Sequence, residues 1–436
     1  MTIIAIPAAF DAASFNHFLG SRNEPDWLTQ RRRKSWAAFE STAWPDRKTE
    51  EWMRSDLRGF HLDQYMMPGL GESSEDTCPQ WLVDDVITCG QLGTIDGRIV
   101  LEQLSTEVSG QGVYFGSLEK ACQSHGKLVE QHLFSVVDPN ADRFAMLHAA
   151  TWSSGCFLHV PKGVSVEQPF HIHSGMSDGG TDVSHVLLVL EENTSATVLY
   201  ESSSTTPNAD GFHCGGLEIV LKQGASLRLV ILQEWGDRVW HFAHQHAKVG
   251  RDATIQWTLA AMGARFVQVA QQVSLVGEGA RSQVNGTMFT RDKQQMTFNT
   301  LQFHEAPNCK SDFLYKAALQ DRSRTVWRGM IKVAPGADKT DGYQRNDNLI
   351  LSDHARADSI PGLEIKADDV RCTHGSTSGR VDDELIFYAQ SRGFTRQEAV
   401  RMIVTGFFQQ IFDRITIESV RKALGSAIAR QVRQYE

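Results

Sequence analysis

A tight corner recurs through the middle of this chain and leaves it few folds to choose from. Val160-Pro-Lys-Gly163, Leu190-Glu-Glu-Asn193, Leu221-Lys-Gln-Gly224, Val249-Gly-Arg-Asp252, Val276-Gly-Glu-Gly279, Phe303-His-Glu-Ala306 and Val333-Ala-Pro-Gly336 share an apolar leader and a four-residue form. The leaders lie 30, 31, 28, 27, 27 and 30 residues apart. The fourth residue is Gly, Asn or Asp in six of the seven, the types that tolerate the left-handed backbone of a corner. Between corners run short alternating segments such as Leu217-Glu218-Ile219-Val220-Leu221 and Leu227-Arg228-Leu229-Val230-Ile231-Leu232, which read as strands. Strands closed by a corner of fixed period stack into a solenoid. A sandwich also turns often, but at roughly 8–12 residues and without this longer register.

The flanks change texture. In residues 11–60, Trp27, Leu28, Trp36 and Phe39 make one helical stripe that Trp52 and Leu57 extend. The basic run Arg31-Arg32-Arg33-Lys34 reads as a solvated helix face. After Gly379, Asp382 to Arg392 forms a helix stopped by Gly393. Thr395 and Glu398 form a capping box that opens a helix with Ala399, Ile403, Phe407 and Ile411 on one face. A last helix covers Ile417 to Val432. Covering the open ends of the solenoid is the structural role expected of these flanks.

Composition excludes several classes. A net charge of −9 argues against a nucleic-acid partner. No apolar run approaches a membrane span, and MTIIAIPAAF is a poor signal peptide, so a cytoplasmic protein is expected. The seven cysteines, at 78, 89, 122, 156, 214, 309 and 372, include no C-x-x-C, which disfavours a disulfide framework or zinc ribbon. There is no G-x-x-x-x-G-K-[ST] phosphate loop and no G-x-G-x-x-G, and a nucleophile elbow is not expected.

Among the histidines, His171-x-His173 and His244-x-His246 would each share one face of a strand, yet neither pair brings a third ligand at diagnostic spacing. Satisfied or solvent-facing imidazoles are the simpler reading, and His213-Cys214 would face opposite sides of a strand. Cys372-Thr373-His374 is different: on a strand both side chains share a face about 6–7 Å apart, which suits two ligands of one metal as well as a plain turn.

The surrounding stretch narrows this. Residues 360–394, IPGLEIKADDVRCTHGSTSGRVDDELIFYAQSRGF, resemble the C-terminal signature of the SufB/SufD family, scaffold subunits of the SUF iron–sulfur cluster assembly machine. Trp327–Val333, Ala337–Gln344, Asn348–Ser352 and the N-terminal Lys48–Trp52 continue the similarity. Asp368–Gly375 is similar to the SufD form, whereas SufB typically carries an acidic Glu-His-Glu type of segment there. Ser376 and Ala389 depart from the usual Ala and Leu.

The resemblance implies a mainly β fold, a right-handed parallel β-helix between N-terminal and C-terminal α-helical domains, here placed at 1–85, 86–371 and 372–436. It implies a non-catalytic scaffold that pairs with a SufB-like paralogue through the β-helices. A SufC-like ABC ATPase would sit on the C-terminal helices, which accounts for the missing phosphate loop. Iron or a transient iron–sulfur cluster is handled at the subunit interface. His374 is the metal ligand by position, and Cys372 the second candidate, since the family's essential thiols are assigned mainly to SufB. The isolated chain is expected to be able to pair with itself. The motifs do not decide whether flavin joins the complex. The competing readings are SufB itself, a metal-free scaffold, and a cytoplasmic β-helix protein acting on polysaccharide.

Overall fold

The computed structural model describes residues 9–68 and 86–432; Cys78 lies outside them. The chain is a β-solenoid of about eight turns with helices at either side. Two long sheets form its walls. The first ends Thr254–Gly263, Arg281–Thr290, Lys310–Leu319, Thr340–Ile350, Val370–Arg380; the second runs in parallel through Phe266–Leu275, Gln295–His304, Arg324–Val333 and Arg356–Ile365. Neighbouring strands are parallel except where Gly90–Ile95 meets Arg98–Leu104 and where Tyr114–Ser117 meets Ser154–Val160, at the N-terminal end.

The corners sit where the repeat places them. Gly163, Asn193, Gly224, Asp252, Gly279 and Gly336 all have positive φ, between 54° and 78°. The sixth corner is shifted by two residues from where the repeat places it: Ala306 is not left-handed and Asn308, φ 60°, takes that place. A second corner in each coil returns the chain from the first sheet to the second, through Ala264, Asp292 and Asp321 at φ 60°, 54° and 61°. Its leading residues vary in type, so it left no readable repeat.

Inward side chains stack in columns. One column on the first sheet is Phe170, Val198, Leu229, Trp257, Val284 and Phe313, all buried. Each such side chain contributes about 1.5–3 kcal/mol by leaving water.

The helices cover the sides of the solenoid, a correction to the expected end-capping. Helices α1 (Ala12–Gly20) and α2 (Asp26–Ser41) lie at the N-terminus. Helices α3 (Thr106–Gly110), α4 (Leu118–Ser124), α5 (Gly126–His132) and α6 (Arg143–Thr151) are inserted between the first strands. Together α1, α2, α4 and α6 bury the outer side of the second sheet, where Leu187, Val189, Phe212, Phe242 and Phe266 point outward. Helices α7 (Asp383–Ser391), α8 (Arg396–Phe412) and α9 (Glu418–Gln431) pack on Val230, Leu232, Met262, Phe289 and Leu349, outside the first sheet. The reason is that these outward strand positions are themselves apolar and need lateral cover.

Two finer expectations shift. The buried stripe of α8 is Ala399, Val400, Val404, Phe408 and Ile411; Ile403 and Phe407 lie at its margin. In the basic run, Arg32 is fully buried, not solvated. Its guanidinium donates to both Glu24 oxygens at 2.7 and 2.8 Å and to the Ala150 carbonyl, and lies 4.3 Å from the Trp152 ring. It pins α2 to α6.

Candidate functional site

The two ends of the solenoid differ. At the N-terminal end the antiparallel strands Arg98–Leu104 and Tyr114–Ser117 cover the first coil. At the other end the last strands are Val370–Arg380 and Arg356–Ile365, and among the described residues nothing pairs with the outer edge of either. Val370–Arg380 is largely exposed along its length, and Arg356–Ile365 is partly so. Unpaired strand edges template further pairing, and Leu363 and Ile365 add apolar surface there, 38% and 40% exposed.

Cys372 and His374 stand on this last strand and face inward, toward the mouth of the lumen. The register fixes this: Cys372 lies over Gly342 and His374 over Gln344, both inward positions of the preceding coil. The long apolar column thus ends in two polar members, with Gln344 following Phe313 and His374 following Gln344. His374 is exposed. Cys372 is half-buried against Ile331, Val333 and Ala337. Burial pushes its thiol above the ordinary value; the Asp341 carboxylate adds to this and a backbone hydrogen bond at Gly342 opposes it. A thiol held protonated is a poor ligand until a metal displaces its proton.

Gln344 was not singled out by its sequence position. It is fully buried, and its amide donates to the Gly329 carbonyl at 3.3 Å and the Gly362 carbonyl at 3.1 Å, tying the first sheet to the last two coils of the second. A Cβ at Gly329 would meet the Gln344 Oε1 at 2.5 Å, so only glycine leaves the amide room. That Oε1 has no hydrogen-bond partner. Beside it, Asn348 donates to Asn346 Oδ1, the Thr377 carbonyl and Ser378 Oγ, continuing a polar lining to the rim.

Other candidates resolve as structure. His171 pairs with Glu201 at 2.9 Å, His173 with Ser203 at 2.9 Å, His244 with Asp142 at 3.2 Å and His246 with the Val136 carbonyl at 3.2 Å. All four are buried and bonded rather than solvent-facing, although His244 Nδ1 has no partner. His213 and Cys214 do face opposite sides, the histidine into the lumen and the thiol toward the Phe144 carbonyl. Gly175-Met176-Ser177-Asp178-Gly179 matches G-x-S-x-G in letters. No helix follows it, and Ser177 Oγ donates to the Asp96 carboxylate at 2.5 Å, so it is a fastened turn and not an elbow. Among the described residues no three His, Cys, Asp or Glu side chains converge to hold a metal. Any metal at the mouth would therefore need ligands from beyond these residues.

A second exposed surface lies on α7, the turn after it and the start of α8. Leu385, Phe387, Tyr388, Phe394 and Met402 are 42–74% exposed together. Asp382 caps this helix through the Glu384 amide at 2.8 Å, so the acidic start is a capping feature.

The fold and the site define a β-solenoid whose last coil is unpaired, with a thiol and an imidazole at its mouth and helices at its sides. The comparisons with known proteins give the family. Residues 171–407 match the model of the SUF system FeS cluster assembly SufBD core domain, and residues 16–172 that of the SufBD protein N-terminal region. The chain is 32% identical over 300 residues to an iron–sulfur cluster assembly SufBD family protein of Mycobacterium tuberculosis, covering 67% of this chain and 74% of the relative. It is 25% identical over 415 residues to the iron–sulfur cluster assembly protein SufB of Bacillus subtilis, covering 91% and 88%. A SufBD family protein of Staphylococcus aureus is similar to the same degree. The chain belongs to the SufBD family of iron–sulfur cluster assembly proteins. No described helix is long and apolar enough to cross a membrane.

Proposed function

We propose that the chain is a SufD-like scaffold subunit that pairs with a SufB-like paralogue and helps load iron where the two meet. The observation that carries this is the unpaired last coil, which exposes two strand edges, Leu363 and Ile365, and His374 in one place. Edge-to-edge pairing with a paralogue would satisfy the free backbone groups and bring the partner's ligands to His374, supplying what this chain's two candidates lack. His374 is the primary ligand of the iron or nascent cluster, which is cargo. Cys372 is an auxiliary ligand, because burial disfavours its thiolate. Imidazole holds iron less tightly than thiolate and releases it on protonation, a property suited to transfer.

The exposed face of α7 is where a SufC-like ABC ATPase docks; the chain itself is non-catalytic. The working domains are 1–85, 86–371 and 372–436, with the strand Val370–Arg380 crossing from core to C-terminal unit. The complex works in the cytoplasm, and without the paralogue the same edge supports a homodimer. The SufB reading is the alternative, favoured by the 91% coverage against the Bacillus subtilis protein.

The test is anaerobic purification of the tagged chain from its native host, with identification of what co-purifies and measurement of iron. A SufB-like paralogue and an ABC ATPase, with iron reduced at least tenfold in His374→Ala, support the reading. Unchanged iron and cluster output in His374→Ala would refute the ligand role. A SufD-like paralogue in the pull-down would make this chain the SufB-like member.

A further inference from the structure

Midway along the lumen, far from the open end in coil order, several buried polar groups meet without satisfying one another. His213 and His241 stack with ring centroids 4.5 Å apart, on adjacent strands of the second sheet. His241 Nδ1 accepts from Trp235 Nε1 at 3.0 Å, which fixes that ring as an acceptor there. Both nitrogens of His213 lack a hydrogen-bond partner, and so does Gln245 Oε1. His213 is 2% exposed and Gln245 6%. Both side chains line an internal cavity of about 20 Å³, which Ser202 and Gln233 also face.

Asp182 stands behind His213 with Oδ2 3.4 Å from Nε2. The distance suggests an ion pair, but no hydrogen bond joins the two. Ser184 Oγ donates to Asp182 Oδ2 at 3.0 Å, while Oδ1 is unpartnered. Burial raises the Asp182 carboxyl to about 7 and lowers His213 well below its ordinary value. Burial thus works against the charged form of each group.

We propose that this chamber is a binding site for one neutral hydrogen-bonding molecule of water's size, held by His213 and Gln245 in the solenoid lumen. The volume decides the size: a water needs roughly 10–15 Å³ of such space and two to four polar partners. An imidazole supplies one donor and one acceptor, and the Gln245 oxygen supplies a second acceptor. A single water donating to Gln245 Oε1 and bonded to His213 removes two of the orphaned groups at once. Ions are excluded, because no fixed charge lines the cavity. The apolar wall of Leu217, Ile231, Leu259 and Val269 keeps the site closed.

The test is a high-resolution crystal structure of the full chain, with a second one of Gln245→Leu. The expected result is a single well-ordered water within about 2.7–3.2 Å of a His213 ring nitrogen and of Gln245 Oε1, lost in Gln245→Leu. A dry cavity would overturn the proposal. So would a His213 ring turned to bond Asp182 directly, or water retained unchanged in Gln245→Leu. If Gln245→Leu fails to fold, oxygen-17 relaxation dispersion on the wild-type chain decides. One long-lived internal water that survives at pH 6 and 8 agrees; none contradicts.

Discussion

His374 lies directly over Gln344, its register partner on the neighbouring parallel strand, at the point where an apolar column turns polar. Because Gln344 bridges carbonyls on Arg324–Val333 and Arg356–Ile365, the mouth that presents His374 is held open at a fixed width. Gln344→Leu strands those two carbonyls in a buried site. It is expected to cost about 1–3 kcal/mol in urea denaturation. It should also lower the iron bound by the complex while leaving its composition unchanged.

The pair Arg32 and Glu24 is buried and bidentate, with side chains 0% and 3% exposed. Removing Glu24 leaves the buried Arg32 charge uncompensated, so Glu24→Gln should destabilise by about 3–5 kcal/mol; Arg32→Met should cost less, because Arg22 still pairs with Glu24 at 2.5 Å. The double variant Arg32→Met with Glu24→Leu should recover most of that loss. Chemical denaturation of the three variants checks the non-additivity.

Protonation of His244 is coupled to the fold. Burial opposes its charge, but the Asp142 carboxylate outweighs this and its pKa is raised above 6.5. Stability from this pair is complete below about pH 6.5 and is lost as pH rises through the folded value. Asp142 is shifted the other way, burial being outweighed by His244, so its share is lost as pH falls below about 3.8. The urea midpoint of wild type should decline between pH 6.5 and 8.5 relative to His244→Gln, which should lack that slope.

Leu363 and Ile365 lie over the buried Ile331 and Val333 of the preceding coil and remain 38% and 40% exposed at its open end. Replacing both with Lys should cost about 0.5–3 kcal/mol in stability. Light scattering should show the loss of pairing at the open end, because buried lysines oppose edge association.

Phe387 is 74% exposed on α7. Phe387→Asp should abolish recovery of the ABC ATPase with the chain, while the paralogue still co-purifies. Loss of both would mean that the helical face and the strand edge are not separate docking surfaces.

Much of this was legible in the residues. A left-handed corner needs Gly, Asn or Asp, and that need recurs once per coil, so six of seven corners were readable. The second corner was not, because Ala264, Asp292 and Asp321 follow leaders of no common type. The capping box at Thr395 was readable because both members lie within one turn. Arg32 was not: its partner Glu24 is close in sequence, but its burial depends on α6, over a hundred residues away. The place of Cys372 and His374 on one face followed from strand alternation. The role of Gln344 did not, since it depends on which strand lies beneath.

The proposal that the last coil is the assembly edge can be read by replacing Thr373, which points outward on the strand Val370–Arg380, with a photo-crosslinking residue in the native host. A single major adduct to the SufB-like paralogue is expected, absent when Leu363 and Ile365 are lysine. No adduct at Thr373, with strong crosslinking from the N-terminal strand Arg98–Leu104 instead, would contradict it.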